Sequence, residues 1–169
     1  MRLFYFIFFM LQVSLLPVSA ADGVVHKKLP LSQSLPLLNS IQDDAIRMGD
    51  GPVKVHVFVD PLCPHSRNFV EMIVESEKMR HKYSYYFYLY TLKRMHSEAM
   101  VFAIYHSKDP LASMKAMMVD HEENTPFKSK DENASTIISR IEKVAEKLDV
   151  YKRPYMVMVK KPKKKRGTH

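Results

Sequence analysis

Val57-Phe58-Val59-Asp60-Pro61-Leu62-Cys63-Pro64-His65-Ser66 is the stretch whose reading decides the fold. It passes from an apolar strand through a proline-bearing turn into a helix start. Pro64 suits a first helical turn, where its missing N–H removes no hydrogen bond. Cys63, the only cysteine of the 169-residue chain, therefore falls at a helix N-terminus. The thiolate is the nucleophilic form of cysteine, and the free N–H groups and dipole of a helix start favour negative charge. Cys63 is thus expected to be a reactive thiol, with His65 supplying a charge or hydrogen bond. The bland alternative is a small apolar residue at a strand end.

The elements on either side agree with this frame. Val53, Val55, Val57 and Val59 alternate with Lys54, His56 and Phe58, which predicts a strand over 53–59. Asp50-Gly51-Pro52 reads as a turn before it. Phe69, Met72 and Ile73, set against Glu77 and Arg80, predict a helix from Pro64 to about His81. Ser84 to Thr91 is an aromatic strand expected to be buried on both faces, and a strand–helix–strand unit of this kind implies a parallel pair. Helices follow over Glu98–Tyr105 and, after the Asp109-Pro110 cap, over Leu111 to Met118. Glu122 to Asn133, with Pro126, reads as a polar loop. A further amphipathic helix carries Ile137, Ile138, Ile141, Val144, Ala145 and Leu148, capped near Asn133 or Ser135. That cap also explains Asn133-Ala134-Ser135 more simply than its match to a glycosylation acceptor does. Tyr155 to Val159 is a last short strand. Residues 21–50 read as a connector, with a short helix over Ile41–Met48 capped by Asn39 or Ser40 and ended by Gly49.

Composition bounds the function classes. Twelve methionines and no tryptophan suggest an adaptable core. Residues 1–20 carry Arg2, an apolar run from Leu3 to Leu16, and small residues at Val18-Ser19-Ala20. This is the pattern of a cleaved export signal, with Ala21 starting the mature chain. The run is shorter than the ~20 residues of a spanning helix. Export implies a disulfide-permissive compartment, in which a lone cysteine is buried, intermolecularly bonded or reactive. Net charge is +8, and six of those charges lie in Lys160–Arg166. The basicity thus belongs to a tail. A solvated end is the simplest reading and contact with anionic lipid the functional one; nucleic acid is not expected as a partner. No metal or cofactor is expected either. Cys63 and His65 with His96, His106 or His121 could in principle hold copper or zinc, but the histidines lack tight ligand spacing.

The run Phe58–Ser66 resembles the active-site region of thioredoxin-fold periplasmic disulfide oxidoreductases. It is most similar to disulfide isomerases of the DsbC and DsbG type, whose strand ends in Phe-x-Asp-Pro-x-Cys, while the Pro-His pair resembles the DsbA oxidase. Met95 to Met118 resembles the inserted helical segment of those isomerases, and Arg153-Pro154 their cis-proline loop. The resemblance covers roughly residues 50–159. It implies an α/β, thioredoxin-like fold with inserted helices and a shortened C-terminal end. The organisation it suggests is a signal peptide over 1–20, a linker over 21–50, the thioredoxin-like domain over 51–159 and a basic tail over 160–169.

The resemblance also implies roles. Cys63 would be the attacking thiol, tuned by His65. Pro154 would be a cis-proline, and Pro64 and Arg153 would meet substrate, the Arg153 backbone pairing with an extended segment. Ser66 stands where a resolving cysteine is usual, so no internal disulfide can form. The 21–50 connector is too short for the dimerisation domain of those isomerases. The implied function is thiol-disulfide exchange by a single thiol with cysteines of other exported proteins, served by a membrane redox partner. The alternative is a non-catalytic binding or assembly module that keeps the fold and not the redox cycle.

Overall fold

A computed structural model describes residues 26–122 and 131–159. The expected signal (1–20), most of the polar loop and the basic tail (160–169) lie outside the described residues. The first element is helix α1 (Leu31–Asn39), followed by a 3-10 turn (Gln42–Asp44) and strand β1 (Ile46–Met48). The helix expected over Ile41–Met48 is therefore not there. Ile46 and Met48 are buried and Arg47 is exposed, so this short stretch satisfies a strand period as well as a helical one. Its backbone pairs antiparallel with Tyr85–Phe87, far along the chain. The connector thus supplies an edge strand of the sheet.

β2 (Val53–Val59) forms as the alternation predicts, and its last five residues are buried. A helical crossover follows, α2 (Pro64–Glu75) and α3 (Glu77–Lys82), and returns the chain to β3 (Tyr83–Leu89). β2 and β3 pair in parallel, from Val53 with Tyr83 to Val59 with Leu89. The single helix expected to His81 is broken at Ser76. Ser76 is extended, and its side chain accepts the Met79 N–H as the cap of α3. Arg80 then folds back, and its guanidinium donates to the carbonyls of Ile73 (2.9 Å) and Val74, closing the end of α2. Val70 and Ile73 are buried in α2, whereas Met72, read as part of its apolar face, is 43% exposed.

The inserted helices are α4 (Glu98–His106) and α5 (Pro110–Met118), the latter capped by Asp109, which accepts the Ala112 N–H at 3.0 Å. α6 (Glu132–Lys147) is capped by Asp131, not by Asn133 or Ser135; the Asp131 carboxylate accepts the N–H groups of Asn133 and Ala134. β4 (Tyr155–Val159) closes the sheet antiparallel to β2, giving the order β1-β3-β2-β4.

The sheet is packed on both faces. Phe69 of α2 meets Tyr85 edge-on at 6.3 Å. On the opposite face, which carries Phe58 and Tyr155, the Tyr155 hydroxyl donates to the carbonyl of Leu148, just beyond α6. Phe58, Phe87 and Tyr88 have no exposed surface; truncating one such aromatic to Ala costs about 3–5 kcal/mol. Because β4 is antiparallel to β2, its start lies beside the end of β2 (Tyr155 opposite Phe58). This topology brings the Cys63 turn, the N-terminus of α2 and the loop before β4 to one end of the sheet.

Candidate active site

The turn leaving β2 is fixed by its own polar groups. The Cys63 N–H donates to the Asp60 carbonyl at 3.0 Å, with Pro61 at the turn. The Asp60 carboxylate is fully buried. It accepts the Leu62 N–H (2.8 Å), the Leu92 N–H and the Ser97 hydroxyl (2.9 Å). One side chain therefore holds the cysteine turn, the segment after β3 and the start of α4 together. Arg67, one turn into α2, adds a bond to the Pro61 carbonyl at 2.6 Å.

Cys63 occupies the N-cap of α2 and is 5% exposed. Its sulfur accepts no capping hydrogen bond from the first turn. Pro64 and His65 are exposed on the first turn. Ser66 is fully buried, and its hydroxyl accepts the Asp60 N–H at 3.2 Å. The serine is thus a structural hydrogen-bonding group beneath the turn.

The facing loop carries Arg153 and the cis peptide bond to Pro154. Arg153 is buried, and its guanidinium donates to the carbonyls of Tyr90 (3.0 Å), Val150 (3.1 Å) and Lys152 (3.0 Å) while lying 4.1 Å from the centre of the Tyr90 ring. Burial pulls its pKa from 12.5 to about 10, against the opposing pull of Tyr90, Asp60 and Cys63. It stays a cation at neutral pH. Its main-chain N–H and C=O make no hydrogen bond with a described residue.

Between the two walls lies a cleft of about 520 Å3, lined by Cys63, His65, Leu92, Lys93, Arg94, Tyr151, Lys152 and Arg153. Of the sequence-predicted residues, Cys63, His65 and Arg153 meet in it. Ser66 lies buried below, and Pro64 and Pro154 flank it without lining it. His96, His106 and His121 are not brought to it: His106 pairs with Asp131 at 2.6 Å and His121 with Arg67 at 2.8 Å. Among the described residues no group of three His, Cys, Asp or Glu side chains could hold a metal ion. The sequence reading missed the anchoring role of Asp60 and the cationic wall of Lys93, Arg94 and Lys152. A carboxylate between an apolar strand and a proline was the available signal for the first; the second depends on loops distant in sequence.

A sheet with a parallel β–α–β unit, an antiparallel closing strand, inserted helices and a cysteine across a cleft from the loop that carries a cis peptide bond defines a thioredoxin-like α/β fold. Solved structures share it. A disulfide interchange protein from Neisseria gonorrhoeae superposes with a TM-score of 0.54 at 21% identity, over 69% of this chain and 80% of that one. ScsC from Proteus mirabilis in a compact conformation gives 0.59 at 14% identity, over 79% of each chain, and its catalytic domain 0.52 at 14%, over 75% of this chain and 85% of that one. At these identities the likeness is one of fold. The chain matches no protein-family model and no curated protein.

Proposed function

We propose that the protein exchanges thiols and disulfides through Cys63 alone, acting on cysteines of other exported proteins in the periplasm. The observation that carries this is the placement of the thiol at the N-cap of α2, across a cleft from the unpaired Arg153 main chain. That main chain suits pairing with an extended client segment. In the first step the Cys63 thiolate attacks one sulfur of a client disulfide. A Cys63–client disulfide forms, the client S–S bond breaks, and the second client sulfur leaves as a thiolate that takes a proton from water. Ser66 offers no sulfur to resolve this adduct. Release needs a thiolate from the client, which rearranges its disulfides with no net oxidation, or a thiol from a redox partner, which reduces them. The chemistry is that of an isomerase or reductase of the DsbC and DsbG kind. The fold shared with disulfide interchange proteins and the export pattern of residues 1–20 support this reading.

The test is covalent capture. The protein is incubated with a scrambled multi-disulfide substrate and quenched with acid. A Cys63-linked adduct, lost in Cys63→Ala and reversed by added thiol, is expected. Iodoacetamide labelling of Cys63 no faster than that of a small free thiol at neutral pH, together with no adduct, would overturn it.

One observation favours a second reading. Cys63 is only 5% exposed and Ser66 is built into the turn by its own hydrogen bond, as suits a binding module that has left redox cycling. That reading expects client binding to survive Cys63→Ala.

A further inference from the structure

The cleft beside Cys63 carries one sign of charge. Lys93 and Arg94 form one side and Lys152 and Arg153 the other, and among the described residues no carboxylate lines it. Lys93, Arg94 and Lys152 are exposed and make no ion pair with a described residue. The Lys152 ammonium lies instead over the Tyr151 ring, 5.5 Å from its centre. The nearby carboxylate, Asp60, is buried and turned into the Leu62, Leu92 and Ser97 bonds. The main chain leading into Lys93 and Arg94 and the Arg153 guanidinium are anchored by hydrogen bonds: Asp60 accepts the Leu92 N–H, and the guanidinium donates to three carbonyls.

Cations clustered at a cleft mouth raise the local concentration of anions and speed their docking, an effect that salt screens. The unpaired Arg153 main chain favours an extended peptide over a small molecule. We infer that the site selects client cysteines that lie in acidic, extended segments. This rests on the exchange reading above and adds the substrate class.

The test uses peptides that carry one cysteine as a mixed disulfide with a chromophoric thiol, flanked by Glu, by Gln or by Lys. The second-order rate of chromophore release by the full chain is measured at low and at high salt. The Glu peptide is expected to react at least about 10-fold faster than the Lys peptide at low salt, with the ratio collapsing at high salt. The combined charge reversal Lys93→Glu, Arg94→Glu and Lys152→Glu should erase or invert the ratio. Neutralising the tail through Lys163→Gln, Lys164→Gln and Lys165→Gln should leave it. Equal rates for the three peptides, or a ratio that follows the tail and not the cleft, would overturn the inference while the exchange reading stands. So would a small carboxylate-bearing disulfide that reacts as fast as the Glu peptide. If no peptide exchanges, the exchange reading falls. Anisotropy of labelled peptides with Ser in place of Cys then decides the cleft: tighter binding of the acidic one sustains the charge preference, and equal binding removes it.

Discussion

Two residues beside the thiol define the site as much as the thiol does. Asp60 satisfies three donors from three segments, all in or near the core. Asp60→Ala leaves buried N–H and O–H groups without a partner, each worth about 1–3 kcal/mol. We expect a loss of about 3 kcal/mol or more in urea unfolding, with Asp60→Asn intermediate because one acceptor oxygen remains. Ser66 stands three residues after Cys63, buried beneath the turn. Ser66→Cys should give a protein that oxidises to an internal disulfide, seen by intact mass as the loss of two hydrogens and of free thiol; retention of two alkylatable thiols under oxidant would show that the turn keeps the sulfurs apart. Cys63 and Pro64 were legible in sequence because proline restricts the backbone locally, whereas Pro154 was reached only through the resemblance. Asp60 was visible as a residue but not as an anchor, since Leu92 and Ser97 lie more than thirty positions away.

Among the elements, the turn from β1 to β2 leaves no room for a side chain at either glycine. A Cβ at Gly51 would lie 2.1 Å from the main-chain carbon of Lys82 and the nitrogen of Tyr83, and Gly49 adopts φ +84 with a built Cβ 2.4 Å from the Tyr83 carbonyl. Backbone at the start of β3 cannot yield as a flexible side chain would. Gly51→Ala should lower stability by about 2–3 kcal/mol, read as a shift in thermal midpoint, whereas Lys54→Ala on the exposed flank should change little. The long strands β2 and β3 were readable because alternation or continuous apolarity over seven residues leaves one period. β1 was not: Ile46 and Met48 fit either period, and the pairing with Tyr85–Phe87 that selects the strand is long-range. The break at Ser76 was hidden for a related reason, since the apolar spacing continues through it while the decisive bonds come from Arg80.

At the scale of the whole molecule, the core contains an ionisable group that ties stability to pH. His56, in the middle of β2, has no exposed surface. Its Nδ1 lies 2.9 Å from the Tyr88 hydroxyl, and its Nε2 has no partner. Burial, with a smaller contribution from Lys54, lowers its pKa from 6.5 to about 4. Between those values the unfolded chain binds a proton that the folded chain excludes. The contribution is therefore fully present above pH 6.5 and is lost as pH falls towards 4, amounting to the order of 2–3 kcal/mol. Urea midpoints from pH 7 to pH 4 should show this loss, and His56→Phe should flatten it; an equal slope in the variant would assign the acid sensitivity to the carboxylates. The α/β class was legible because the strands announce themselves, and the buried histidine was not, because its place in the alternation is shared by exposed Lys54. The Arg153 guanidinium has a wider mechanical meaning. By gripping the end of β3 at Tyr90 and its own loop at Val150 and Lys152, it acts as a keystone that sets the width of the slot above Cys63. On the exchange reading proposed above, a slot locked in this way would not mould itself to visitors, so a folded client would have to present its cysteine on a strand that has already come loose.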